Sequence, residues 1–204
     1  LLYTDVANAA FFTIFYVPMV PIIIFIFNRK SIHWSVWPSV FLCVIGGYLL
    51  TNFQDATVRL GDTLVLLGAL FWSTHIIFTG IMVTKYNLPL TVGATQTLIV
   101  SLFSFIIGSI YEEFIFKNIL NEIYSILYAG ILSGGIAFVL QIYAQRNITP
   151  APAAIIFSLE GVFATIAAWF LLNQILNINN LLGCFFILCG VLLSQLLPLI
   201  KKTA

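Results

Sequence analysis

Apolar residues along this chain occur in long runs, not in the 3.6-residue or two-residue alternation of a half-buried soluble element. The runs cover 7–27, 36–51, 63–83, 90–110, 123–144, 150–172 and 181–200, with nearly all charges in the short segments between them. A hydrocarbon core about 30 Å thick needs about 20 apolar residues in a helix rising about 1.5 Å per residue. Seven membrane-spanning helices are therefore predicted, the second of them short. Strands are not expected, because backbone groups in lipid must be satisfied within each span. Pro18 and Pro21 inside the first run predict a kink or a broken segment. Between the fourth and fifth runs, EEFIFKNILNE (112–122) leads into Ile123 and sets Ile115, Ile119 and Ile123 at helical spacing. It reads either as a short amphipathic helix in the membrane interface or as a partly structured loop.

Composition narrows the class further. Hydrophobic residues make up 61% and charged residues 7%, against roughly 25% charged in soluble domains. The chain is read as an integral membrane protein. A net charge of +1 without a basic block argues against a nucleic-acid partner. Cys43, Cys184 and Cys189 are odd in number and lie in apolar runs, without metal-ligand spacing, so neither a disulfide framework, a metal nor another cofactor is expected. No phosphate-binding P-loop is present for ATP-driven work. Gly130-Ile131-Leu132-Ser133-Gly134 has the wrong spacing for an intramembrane serine nucleophile, and no Lys precedes Lys201 in the last run to hold a retinal. The chain is read as not an enzyme. A non-transporting membrane scaffold or an intramembrane enzyme is the alternative.

The basic residues orient it. If the end of the first span is cytoplasmic, then Arg29, Lys30, Lys85, Arg146, Lys201 and Lys202 lie inside, and only Arg59 and Lys117 outside. This positive-inside bias puts the C-terminus in the cytoplasm. Asp5, Asp55, Asp62, Glu112, Glu113 and Glu122 then all fall outside, leaving Glu160 as the one acid within an apolar run. The first residues, LLYTDVANAA, have neither an initiator Met nor a charged n-region, so they are no signal peptide. They read as a chain entered partway through.

An internal repeat supports that expectation. TDVANAAFFTIFYV (4–17) aligns without gaps on TPAPAAIIFSLEGV (149–162), with Thr4, Ala9, Phe12 and Val17 on Thr149, Ala154, Phe157 and Val162, and Thr13 opposite Ser158. GYLLT (47–51) likewise matches GVLLS (190–194). Spans one and six are five apart, so they cross the membrane in opposite directions. That is the mark of an inverted-topology repeat, common in secondary transporters. Residues 141–194, QIYAQRNITPAPAAIIFSLEGVFATIAAWFLLNQILNINNLLGCFFILCGVLLS, resemble the second repeat of EamA-type transporters of the drug/metabolite transporter superfamily, and GDTLVLLGALFWSTHIIFTG (61–80) resembles its start. The resemblance implies an all-α, polytopic, ten-helix fold of two inverted five-helix halves around a central pathway, exporting small metabolites. It divides the chain into the end of a first repeat (1–52), an outer loop (53–61), a complete second repeat (62–200) and a cytoplasmic tail (201–204). It also implies a bacterial inner membrane, with lipid and a small-molecule substrate as partners; a homodimer is compatible with it. The chain departs from the family pattern at Glu160-Gly161, where Glu-Pro is common, and at Asn173-Gln174, where Gly-Glu is common.

Six residues are candidates for lining a substrate cavity. Glu160 lies about ten residues into its span, close to the midplane, where an acid is costly and faces protein or water. It either lines the path and binds a proton or makes a structural hydrogen bond. His75 sits mid-span with Trp72 one turn before it. Gln96, Gln141 and Tyr16 are further polar-tipped side chains within spans, for which interhelical contact is the competing role. The small-residue pairs Gly161/Thr165 and Ala164/Ala168 read as a helix-packing stripe. Thr149 and Pro150 read as the cap and first residue of the sixth span.

Overall fold

The computed structural model describes residues 3, 4, 6–28, 32–51 and 59–200. Asp5, Arg29, Lys30, Asp55, Lys201 and Lys202, with most of the 53–61 loop, lie outside the described residues. Helices form α1 (Val6–Thr13), α2 (Tyr16–Asn28), α3 (Val36–Thr51), α4 (Leu60–Tyr86), α5 (Pro89–Tyr111), α6 (Phe116–Asn121), α7 (Ile123–Leu127), a π-helical stretch (Tyr128–Ala137), α8 (Phe138–Gln145), α9 (Pro150–Phe157), α10 (Leu159–Leu172) and α11 (Ile178–Ile200). Among the described residues, six helical stretches are long and apolar enough to cross a membrane, and Val36–Thr51 is a shorter apolar helix. They match the seven runs. No strand occurs among the described residues, and the chain is a polytopic α-helical membrane protein.

Two spans are interrupted. The first breaks at Ile14–Phe15, between α1 and α2. Pro18 has no N–H to offer the Ile14 carbonyl, and the chain tightens there into Val17 N–H to Ile14 O (3.0 Å) and Phe15 N–H to Phe12 O (3.3 Å). The sixth span breaks at Ser158, where a continuous helix over 150–172 was expected and no proline intervenes. There the Ser158 hydroxyl donates to the Ile155 carbonyl (2.6 Å), and Gly161 N–H bonds Ser158 O (3.2 Å). A side chain competing for the helical carbonyls replaces the proline as the cause. Thr149 holds the extended backbone of a cap (φ −65°, ψ 151°) with Pro150 at the first turn, but its hydroxyl makes no capping bond.

α4 starts three residues earlier than its apolar run. Asp62, only 1% exposed, accepts the Arg59 N–H (2.8 Å), the reciprocal half of a capping box. Its other carboxylate oxygen accepts the Thr4 hydroxyl. The start of the first span is thereby tied to the start of α4. Asn87, in the left-handed region (φ 57°), ends α4 before Pro89 opens α5.

The chain forms two compact units, 1–78 with 149–204, and 79–148. In the first, α2, α3, α4 and α9 share a core that includes Val17, Val20, Val40, Cys43, Ile76, Ala154 and Ile155. Its most extensive helix pair is α3 with α11. A Cβ at Gly183 would stand 2.7 Å from Gly46 O, and one at Gly190 would stand 2.8 Å from Ser39 O. The order of these contacts makes the two helices antiparallel, with backbones closer than side chains would permit. One end of the seam is fixed by Asn180. It exchanges caps with Asn177 (3.0 and 3.1 Å), and its amide donates to Leu50 O (3.3 Å).

In the second unit, α5 meets α8 where a Cβ at Gly93 would lie 3.2 Å from Ile142 Cδ1. The segment 112–122 contains a real helical turn, α6. Glycines of the fifth span, read as allowing close packing or bending, lie in the π-helical stretch. A Cβ at Gly134 or Gly135 would meet the carbonyl five residues earlier at 3.3 Å, the wider ladder of that geometry.

Candidate functional site

The first unit encloses an open cavity of about 720 Å³, within the range of small-molecule sites. Both helix breaks border it. Thr13, Ile14 and Tyr16 come from the first interruption, and Phe157, Ser158, Glu160 and Gly161 from the second. In the gapless alignment of 4–17 on 149–162, Thr13 and Ser158 occupy equivalent positions. Each donates its hydroxyl back along its own helix, Thr13 to Ala9 O (2.7 Å) and Ser158 to Ile155 O (2.6 Å). The remaining walls come from α3 (Gly47, Leu50, Thr51), α10 (Ala164, Thr165, Ala168) and α11 (Asn180, Ile187), with Gln174–Leu176 from the loop between α10 and α11.

Glu160 is in the first turn of α10 and exposed to the cavity. Its carboxylate makes no hydrogen bond or ion pair to another side chain among the described residues. The Tyr16 phenol, 5% exposed, lines the same cavity. Behind it, Ser158 Oγ is 3.4 Å from Cys43 Sγ, and that thiol is fully buried and unpaired in any disulfide. The stripe of Gly161, Ala164, Thr165 and Ala168, read as helix packing, also borders the cavity, with Gly161 set against Leu50 of α3 and Ile187 of α11. Its small side chains leave the volume open.

The other four candidates are not among the residues lining this cavity. Trp72 and His75 stack on each other (5.1 Å between ring centres, 21° between planes). Trp72 leans on the core of the first unit, and neither residue borders the cavity. Gln96 and Gln141 are half-buried and belong to the second unit. Of the six candidates, Glu160 and Tyr16 share one cavity. Thr13, Thr51, Ser158, Gln174 and Asn180 join them there without having been singled out as cavity residues. The repeat could have pointed to Thr13 and Ser158, since it aligns two hydroxyl residues inside apolar runs. Thr51 ends the second matched stretch of the repeat and Gln174 stands at a departure from the family pattern, but neither position signals a cavity by itself. No group of three or more His, Cys, Asp or Glu side chains able to hold a metal occurs among the described residues.

A helical membrane protein with two spans interrupted around a mid-span acid has the architecture of transporter folds. The chain belongs to the EamA-like transporter family, whose model matches residues 59–196. It is 28% identical over 200 residues to an uncharacterized transporter of Archaeoglobus fulgidus, an overlap of 95% of this chain and 62% of that protein. It is 26% identical over 146 residues to the uncharacterized transporter YoaV of Bacillus subtilis, covering 69% of this chain and 48% of the relative. The chain thus matches about half to three-fifths of the length of these relatives.

Proposed function

We propose that the protein is a secondary transporter that moves small organic solutes outward by alternating access. The observation that carries this reading is the pair of interrupted spans. They break within two residues of equivalent positions in the repeat, and both breaks border the cavity that holds Glu160. Discontinuous helices meeting at a midplane site are how inverted-repeat carriers bind solute and rock around it. In this reading residues 1–52 close a first repeat, 62–200 form the second, and the C-terminus faces the cytoplasm of a bacterial inner membrane. The positive-inside bias supports that orientation. Glu160 supplies a titratable group that couples solute movement to protons.

The test is flux and sidedness in proteoliposomes. Single cysteines replacing Thr13 and Thr51 are labelled with an impermeant maleimide from either face. Alternating access requires labelling from both faces, in proportions that shift when solute is added. Labelling from one face only, unchanged by solute, would falsify the mechanism. Absence of any solute flux would leave a membrane scaffold as the function.

A further inference from the structure

We infer that the break at Ser158 is a reversible joint held open from α3, and that Ser158 is the positioning residue that turns Glu160 into the cavity. This rests on reading that cavity as the place where Glu160 acts. The two interruptions differ in cause. At the first, Pro18 has no N–H for the Ile14 carbonyl and its ring crowds that carbonyl, so the chain there cannot close into a regular helix. At the second, every residue from 155 to 162 carries an N–H. Ser158 stands at φ −61° and ψ −15°, a single torsion about 27° from the α-helical ψ of about −42°.

What keeps this break is the Ile155 carbonyl. It takes the Ser158 N–H (3.2 Å) and the Ser158 hydroxyl (2.6 Å), where an α-helix would give it the Leu159 N–H. A hydroxyl has one proton, and the carbonyl has it. Ser158 Oγ therefore meets Cys43 Sγ, 3.4 Å away, as an acceptor, and the thiol donates. That donor is wedged in place. Cys43 is fully buried, and a Cβ at Gly190 of α11 would stand 2.8 Å from its sulfur. The joint stays open as long as the α3–α11 pair lies against it.

The joint decides where Glu160 points. A 3₁₀ turn advances about 120° per residue, against about 100° in an α-helix. Two bonds of that kind, Ser158 N–H to Ile155 O and Gly161 N–H to Ser158 O (both 3.2 Å), over-rotate α10 relative to α9. In a continuous helix Glu160 would share a face with Ala153, two turns earlier, and Ala153 is 2% exposed. The over-rotation carries the carboxylate off that packed face and into the cavity. Closing the joint would return it.

The experiment is NMR of the complete protein in detergent micelles. Glu160–Gly161 is the sole Glu–Gly pair in the sequence, so glutamate labelled at its carbonyl carbon, with nitrogen-labelled glycine, gives one cross-peak at the joint. Hydrogen exchange of this Gly161 amide is compared in the wild type, Ser158→Ala, Cys43→Ala and Cys43→Ser. The two alanine variants lose the hydroxyl or its donor, and exchange is expected to slow about five- to tenfold as the helix closes. Cys43→Ser keeps a donor and should stay within about twofold of the wild type. The Glu160 side-chain signal, assigned by its loss in Glu160→Gln, should lose its relaxation by a soluble gadolinium chelate in both alanine variants. Unmoved amides of Gly68 and Gly93 show the fold intact. If Ser158→Ala does not fold, the Cys43 pair decides. Exchange no slower in a folded alanine variant than in the wild type, equal slowing in Cys43→Ser and Cys43→Ala, or slowed exchange with Glu160 relaxation unchanged would each overturn the inference. The measurement involves no flux. The expected pattern in a protein that moves no solute in proteoliposomes would remove the transport reading alone, and transport with an unmoved joint would remove this inference alone.

Discussion

Gly183→Ala gives the sharpest test of the α3–α11 seam. The new methyl would lie 2.7 Å from Gly46 O, 2.9 Å from Leu50 Cγ and 3.0 Å from Leu50 N. Two of these neighbours are backbone, so no side-chain rotation relieves them. Carbon–oxygen contacts rarely close below about 3.3 Å, so the helices must part by about 0.6 Å along a seam of several tight contacts. Overpacking of this kind costs about 1–3 kcal/mol. Replacing a mid-helix glycine with alanine returns up to about 1 kcal/mol of helix propensity, so the net expectation is destabilisation by about 1–2 kcal/mol. Gly68→Ala is the control, because nothing lies within 4 Å of its added Cβ. The same propensity gain should appear there without the clash. Gly161→Ala falls between them, meeting the Leu50 Cδ1 methyl at 3.3 Å, which can turn away, and Ile187 Cδ1 at an ordinary 3.9 Å. Stability of the three variants is measured by denaturant titration in mixed micelles. The expected order from most to least stable is Gly68→Ala, Gly161→Ala, Gly183→Ala. A Gly183→Ala protein as stable as Gly68→Ala would refute the close-backbone account of the seam.

Asp62→Ala removes a buried carboxylate that takes the Arg59 N–H and the Thr4 hydroxyl, and should destabilise by about 1–3 kcal/mol. Combined with Thr4→Val, the loss should be less than the sum of the two single losses, as read in the same titration. Asn180→Ala loses one arm of the Asn177–Asn180 cap and the bond to Leu50 O, for a cost of about 1–2 kcal/mol; an unchanged midpoint would show the cap to be dispensable. If Glu160 couples transport to protons, flux by the wild type should vary with pH while that of Glu160→Gln stays flat; parallel profiles would remove the carboxylate from coupling.

Glu160 and His75 show how far a sequence can carry a site. Both are ionisable residues inside apolar runs, and by cost alone both belong against protein or water. Their different placement depends on the face each presents, and a membrane helix that is apolar nearly all round carries little amphipathic signal to reveal it. The first interruption had a visible cause in Pro18. The second had none, because a lone serine in a helix bonds backward or not according to what packs beside it, and Cys43 of α3 is 115 residues away in the chain. Small residues were legible as a packing stripe. Which of them meet another backbone, as Gly46, Gly183 and Gly190 do, and which face open space, as Ala164 and Ala168 do, was not.

The sequence by itself determined the helical membrane class, the number and approximate limits of the spans, and the weak repeat. Bilayer thickness and the cost of unsatisfied backbone groups act on each segment alone, so they leave their mark in local composition. Only the tertiary structure decided that Glu160 and Tyr16 share a cavity while Trp72 and His75 pair elsewhere. Only there do the breaks at Ile14–Phe15 and Ser158 border the same space. Those outcomes depend on helix rotation and on contacts between residues far apart in the chain, set by the short-range fit of one side chain against another.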